Sequence, residues 1–413
     1  MLRLAVVAAA ARAAEECASR DGVFFSAADF PSTGDFANQR SSPRELEARI
    51  AAWTVPYVPG LGPLTEAQHA QFFRDGWVIV PDLVPREALE GAIASVEALV
   101  DSIARRLFAA GKIASLHETA GFQRRLQLID QEFPHANVLL HKNGVLPEGI
   151  RDVWAHPRLM GVAQQLLGAD VDIVGHPVWN LRCKTPDALS QGQATVPWHQ
   201  DNAYLDEECW DKLQVTAWVP LVDTNTQNGC MQVVSGSHRR GGTAEHACCV
   251  GGTWYVETTP EELEATVGAS MSEDIVTCEV PFGSVLLLNN LVAHRSLPNY
   301  SDEIRWSLDL RWQRGGEPNG FHGLKDSVLM KRGGEEFNGT VDWGEWAQQD
   351  RTTAQLEALG VAVDETQFDT AIAGPWMNRW KLVHENRHTA NIDPDGGLHG
   401  WGGGELAKPG TKS

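Results

Sequence analysis

Two hydrophobic rhythms divide the chain. Between Leu64 and Gly111 the apolar residues of "LTEAQHAQFFRDG" and "PREALEGAIASVEALVDSIARRLFAAG" recur every three to four positions, the spacing of a buried stripe on a helix. Thr65 stands where an N-cap belongs, and Gly76 is placed to end the first helix ahead of the short apolar run "WVIV". From about Asp172 the rhythm changes to short runs rich in Val, Leu and Trp, bounded by Gly, Asn, Asp or Pro. These runs are "VDIVGHPVWNLRCK", "LQVTAWVPLVD", "CMQVVSG", "DIVTCEV", "SVLLLNNLVAH" and "RWSLDLRWQ". They predict a mainly β fold with flanking helices, in which a jelly-roll core of about eight short strands lies behind a helical layer. Residues 15–62, rich in Ser, Pro, Gly and Asp, show little periodicity and predict an irregular arm. No internal repeat is present.

Composition narrows the classes without choosing among them. At 43% hydrophobic and 21% charged residues, the 413-residue chain has the make-up of a globular protein with ample core. A formal charge of -20 argues against nucleic acid or an anionic membrane as partner, because both attract clustered Lys and Arg. No apolar run approaches the roughly 18 residues that a bilayer span requires. The first residues, "MLRLAVVAAAARAAEE", fit a secretory or organellar leader and equally an N-terminal helix of a cytoplasmic protein. Seven cysteines without a C-x-x-C pair suggest neither a disulfide framework nor a zinc knuckle, and read as buried thiols.

Candidate chemistry begins at "PWHQD". In an extended segment alternate side chains share a face, so His199 and Asp201 would point together while Trp198 and Gln200 point away. An imidazole and a carboxylate suit a divalent first-row metal, but two ligands hold one weakly, and such a pair can also be a surface contact or a structural hydrogen bond. His294, at the end of "SVLLLNNLVAH", supplies a third candidate, since a jelly roll brings distant strands together. Two histidines and one aspartate on one side of a metal leave positions open, the arrangement used by non-heme Fe(II) oxygenases. One carboxylate against a 2+ ion leaves a positive site that favours an anionic chelating cosubstrate. Arg305, on the next predicted strand, could capture that anion's far carboxylate, with Ser296 and Ser307 nearby as hydroxyl donors.

In these residues the chain resembles the phytanoyl-CoA dioxygenase family of Fe(II)- and 2-oxoglutarate-dependent oxygenases. The segments that carry the resemblance are "LTEAQHAQFFRDGWVIVPDLV", "WHQD", "TAWVPLVDTNTQNGCMQVVSGSHRRG" and "HRSLPNYSDEIRWSLDLRW", in the family's order over about residues 64–313. The resemblance implies a double-stranded β-helix, with iron bound by His199, Asp201 and His294. It also implies that Arg305 and Ser296 hold the distal carboxylate of 2-oxoglutarate, with Trp218 lining that pocket. The implied reaction consumes O2 and 2-oxoglutarate, releases succinate and CO2, and hydroxylates a small organic substrate. Asp201 stands where halogenating relatives carry a small residue, so the resemblance implies hydroxylation. Together these readings divide the chain into an irregular N-terminal arm, with the leader or helix at its start, over 1–62, an oxygenase jelly-roll domain with N-terminal helices over 63–316 and a C-terminal extension packing on the barrel over 317–413.

Two other readings compete. "HENRH" at 384–388 matches the zincin pattern of two histidines one helical turn apart with a glutamate between, which would make the protein a zinc metalloprotease. "TANIDPDGG" follows at once and leaves little room for that helix, while Asn391 and Pro394 stand where the extended motif needs Gly and His. The segment more simply follows "GPWMNRW", whose tryptophans would pack the C-terminal region on the barrel. The third reading is an inert jelly roll that binds a ligand without turning it over. Asn180, Arg182 and Lys184 share one strand face and could reach cosubstrate or substrate, or be solvated. Neither the substrate nor the oligomeric state has a readable code in the loops.

Overall fold

The computed structural model describes residues 43–142, 145–190, 193–240, 242–349, 368–372 and 374–390. The leader expected at the N-terminus and Cys17 lie outside these residues. The expected first helix runs Glu66–Asp75, where Thr65 accepts from the Gln68 N–H and Gln68 answers from its side chain, closing a capping box. Gly76 ends it at φ 81°, and any Cβ there would meet Val292 and His238, so the turn into the Trp77–Val80 strand requires glycine. The second helix, Arg86–Ala109, buries Leu89, Val96, Val100 and Leu107 along one face.

Among the described residues the strands form three sheets. A small one joins Ala247–Cys248 to Val256–Glu257 (antiparallel) and to Lys381–Leu382 (parallel), and two antiparallel ones make the core. The larger has the order Trp77–Val80, Val285–Asn289, Val215–Pro220, Arg305–Arg314, Ile173–Gly175, Val328–Lys331, with Asn180–Lys184 also paired to Arg305–Arg314. The smaller joins His294–Ser296, Met231–Val234 and Ile275–Cys278. Trp218, Leu286 and Leu288 of the large sheet pack with Met231, Val233 and Cys278 of the small one, which makes the core a jelly roll. The opposite face of the large sheet, with Ala217, Val219, Leu287, Leu308 and Leu310, packs under the helices.

Several expectations are corrected. "SVLLLNNLVAH" is not one strand: Asn289 accepts from the Leu291 N–H through its side chain, and the chain turns there from the large sheet to the small one. "VDIVGHPVWNLRCK" splits at Pro177, which has no N–H to give a ladder. The arm is not wholly irregular, because Pro43–Trp53 is helical and Trp53 is buried with Nε1 donating to the Asp211 carbonyl at 2.9 Å. Past residue 316 the chain adds Val328–Lys331 as the outermost strand of the large sheet. Cys248 and Cys249, read as thiols, are joined to each other; adjacent residues leave no spacing pattern to read. Cys183, Cys209, Cys230 and Cys278 are free. Among the described residues no helix is long and apolar enough to cross a membrane.

Leu308 is fully buried on the helix side of the longest strand. Leu308→Ala should therefore cost about 2–5 kcal/mol, whereas Tyr300→Ala, at a side chain 70% exposed, should stay within about 0.5 kcal/mol of wild type. Urea unfolding midpoints check both.

Candidate metal centre and adjoining cavity

The segment around His199 is not a regular strand. His199 forms a lone antiparallel bridge to His294, each backbone N–H reaching the other's carbonyl at 3.0 and 2.9 Å. The chain then turns into a short 3-10 helix, Asp201–Tyr204. Gln200 keeps extended angles, φ -114° and ψ 140°, so the alternation expected for a strand survives over the three residues that matter. His199 and Asp201 consequently face the same side, and the bridge brings His294 beside them. The Asp201 Oδ1 lies 3.7 Å from His199 Nε2 and 3.8 Å from His294 Nε2, and all three residues are buried. Among the described residues they are the one group of three or more ligand-type side chains arranged to hold a metal ion.

Both imidazoles are oriented by the backbone. The Nδ1 of His199 lies 2.9 Å from the Pro197 carbonyl, and that of His294 lies 2.9 Å from the Val292 carbonyl. A carbonyl can only accept, so each Nδ1 carries the proton and each Nε2 turns a lone pair toward Asp201. Burial, reinforced by the neighbouring His294, pushes the His199 pKa well below the ordinary histidine value, which keeps the ring neutral and able to ligate.

Asp201 presents one oxygen because the other is occupied. Its Oδ2 accepts from Arg311 Nη2 at 3.0 Å and Nε at 3.2 Å, and from Thr216 Oγ1 at 3.2 Å. Burial alone would raise the Asp201 pKa, but the Arg311 guanidinium outweighs it and holds the carboxyl ionised well below the usual range. The Arg305–Arg314 strand supplies this support through its alternation. Arg305, Ser307, Asp309 and Arg311 face inward while Trp306, Leu308, Leu310 and Trp312 face the helices, and all eight are buried. Asp309 in turn accepts from Arg182 Nε at 2.9 Å. Neither Arg311 nor Thr216 was singled out from the sequence. The two-residue alternation starting at Arg305 would have found Arg311, whereas Thr216 leaves no such signal.

The triad opens on a cavity of about 940 Å³, which includes its open mouth, and a second of about 570 Å³ shares Arg182, Asp201, Trp254, Tyr255 and Arg311 with it. Arg305 lines the first, its guanidinium 5.1 Å from the centre of the Trp218 ring. Its Nη1 donates to Ser307 Oγ at 2.7 Å and its Nη2 to the Gly229 carbonyl at 3.2 Å, while its buried Nε has no partner. Burial pushes the Arg305 pKa down to about 10. Ser296 lines the same cavity but is engaged elsewhere, its Oγ accepting from Lys184 Nζ at 2.9 Å and from the Val196 N–H at 3.0 Å. The hydroxyl that touches Arg305 is that of Ser307. Lys184, also inside, has its pKa pushed well below the usual lysine range by burial and by Arg305.

His384 and His388 form no second centre. Residues 383–386 have no regular structure and 387–390 form a turn, so the one-turn helical spacing is missing. His388 is buried against Trp254 and accepts the Ile372 N–H at its Nδ1. The metalloprotease reading fails on that geometry.

A jelly roll that gathers two histidines and an aspartate at the wall of an internal cavity belongs to the class of metal-centred β-barrel proteins. The chain belongs to the phytanoyl-CoA dioxygenase (PhyH) family, whose model matches residues 72–307. Among curated proteins it is similar to 1-deoxypentalenic acid 11-beta-hydroxylase of Streptomyces arenae, at 29% identity over 176 residues, covering 42% of this chain and 60% of that protein. It is also similar to the phytanoyl-CoA dioxygenase of Arabidopsis thaliana, at 27% identity over 142 residues, covering 34% of this chain and 44% of that one. The chain thus covers 60% or less of the curated relatives' length. Solved structures similar to it include the apo non-heme monooxygenase ThoJ (20% identity, TM-score 0.46, 69% of this chain and 94% of that one). Another is EctD of S. alaskensis with 2-oxoglutarate and 5-hydroxyectoine (18% identity, TM-score 0.41, 69% and 89%).

Thr216→Val keeps the shape of the side chain but removes its hydroxyl from Asp201. The variant should bind Mn(II) about tenfold more weakly than wild type, as expected when a ligand loses an orienting hydrogen bond. Calorimetric titration of the metal-free protein measures it.

Proposed function

We propose that the protein is an Fe(II)- and 2-oxoglutarate-dependent dioxygenase that hydroxylates a small organic substrate. The observation that carries this reading is the convergence of His199, Asp201 and His294 on one point inside the barrel, with both Nε2 lone pairs and one carboxylate oxygen directed there. The donor set fits ferrous iron, since two imidazoles and one carboxylate leave coordination positions for other ligands. The Arg305 pocket fits the cosubstrate: a buried guanidinium keeps an unpartnered Nε, and no ion pair to it is found among the described residues.

When bound, iron and 2-oxoglutarate supply an O2-dependent oxidation in which the cosubstrate leaves as succinate and CO2. The chain's residues do the rest. Arg305 would pair with the distal carboxylate, Ser307 orienting the guanidinium and Trp218 covering its face. Ser296 would act there through Lys184, to which it is bonded. Arg311 and Thr216 keep Asp201 turned so that only Oδ1 faces the metal position. Trp254, Tyr255, Met231 and Leu288 limit water around the site. The similar hydroxylase from Streptomyces arenae, named for an organic acid, supports a small-molecule substrate, and the -20 charge supports the absence of a nucleic-acid partner.

Succinate formation should require added Fe(II) and 2-oxoglutarate and vanish on chelation with EDTA. His199→Ala and Asp201→Ala should abolish it. Arg305→Ala should mainly raise the 2-oxoglutarate concentration needed, and unchanged cosubstrate dependence in that variant would count against its role. Glu385→Gln should turn over at the wild-type rate. A chain that binds iron and cosubstrate yet yields no succinate with any compound of a metabolite panel would instead be the inert barrel.

A further inference from the structure

The cavity has an unbalanced charge. Its walls carry five side-chain cations, Arg182, Lys184, Arg305, Arg311 and Arg387, against two carboxylates, Asp201 and Asp309, in a chain whose net charge is -20. Arg182 is paired with Asp309, and Arg311 with Asp201. Fe(II) and the 2-oxoglutarate dianion would cancel each other, so their binding leaves the surplus in place. Even with Lys184 neutral, the guanidiniums outnumber the carboxylates by two. In a cavity walled by aromatic rings such a surplus is poorly screened and favours an anionic guest.

Arg387 is the cation placed to receive that guest. It belongs to the C-terminal segment, outside the residues matched by the family model, and that segment is clamped to the cavity wall. Asn386 Nδ2 donates to the carbonyls of Gly251 and Thr253 at 2.8 and 3.0 Å, and the His388 ring lies 5.0 Å from that of Trp254. Arg387 itself donates to the carbonyls of Thr370 and Gly252 at 3.3 and 3.4 Å, long contacts that an anion would improve upon. Two nearby carboxylates face it: Asp369 pairs with Lys142 at 2.7 Å, while Asp130, whose pKa is raised by burial, accepts the Asn137 N–H at 3.3 Å and has Arg387 as its neighbouring cation. Beside Arg387 the cavity wall continues into Trp254 and Tyr255, and beyond them into Tyr204, Phe321 and Trp376.

We propose that the substrate joins an apolar body to an anionic group of the carboxylate class, the anion held by Arg387 and the body lying against Trp254, Tyr255 and Trp376. The proposal rests on the oxygenase reading for what happens to that substrate. The anion site itself is a property of the cavity alone.

The test uses the full chain loaded with Mn(II) and 2-oxoglutarate, and two matched probes, 1-adamantaneacetate and dodecanoate, each beside its methyl ester, titrated by calorimetry. Each acid should bind at least about tenfold more tightly than its ester. Arg387→Gln should reduce that preference below about threefold, and Arg387→Lys should keep most of it. Esters binding as tightly as acids, or a preference that persists in Arg387→Gln, overturns the proposal. Acid preference in a wild-type chain that forms no succinate would sink the oxygenase reading and leave the anion site standing. Succinate formation without acid preference would do the reverse.

Discussion

The inward face of the Arg305–Arg314 strand sets the condition that the site must meet. Two guanidiniums, a carboxylate and a hydroxyl are buried there, and each needs a partner because an isolated buried charge is costly. Arg311 finds Asp201, Asp309 finds Arg182, and Arg305 takes Ser307 and a backbone carbonyl. The pairing of Arg311 with Asp201 is what turns a flexible carboxylate into a ligand with one available oxygen. A buried ion pair of this kind adds little net stability, so its use here is to define geometry.

The second determinant is made of backbone. Reciprocal N–H to carbonyl bonds join His199 to His294 across a segment that is otherwise outside any sheet, and the carbonyls of Pro197 and Val292 fix both rings. The turn at Asn289 that carries the chain from one sheet to the other is therefore part of the site. It moves His294 onto the small sheet, opposite the large sheet that supplies Thr216, Arg305 and Arg311. The C-terminal segment then closes one wall: Trp380 Nε1 donates to the Ala203 carbonyl at 2.7 Å, directly behind the turn that begins with Asp201.

Periodicity alone was enough for the capped helix at Thr65, for the longer helix that follows, and for most strands of the core. It failed where side chains redirect the backbone. Asn289 and Pro177 break runs that look continuous by hydrophobicity, and Val328–Lys331 is too short to announce itself but completes a sheet edge. The helix at Pro43–Trp53 was hidden by the polar composition of its surroundings, although Leu46, Ile50 and Trp53 have helical spacing.

Residue type and two-residue alternation by themselves determined which groups are able to bind a metal and that His199 and Asp201 would share a side, because those properties are local to the chain. Tertiary structure alone decided that His294 meets them, that Ser307 rather than Ser296 touches Arg305, and that Arg311 orients Asp201. It also decided that the polar face of a strand alternating Arg, Ser, Asp and Arg lies inside. Alternation shows that a strand has two unlike faces, but which face meets water depends on what the rest of the chain folds over it.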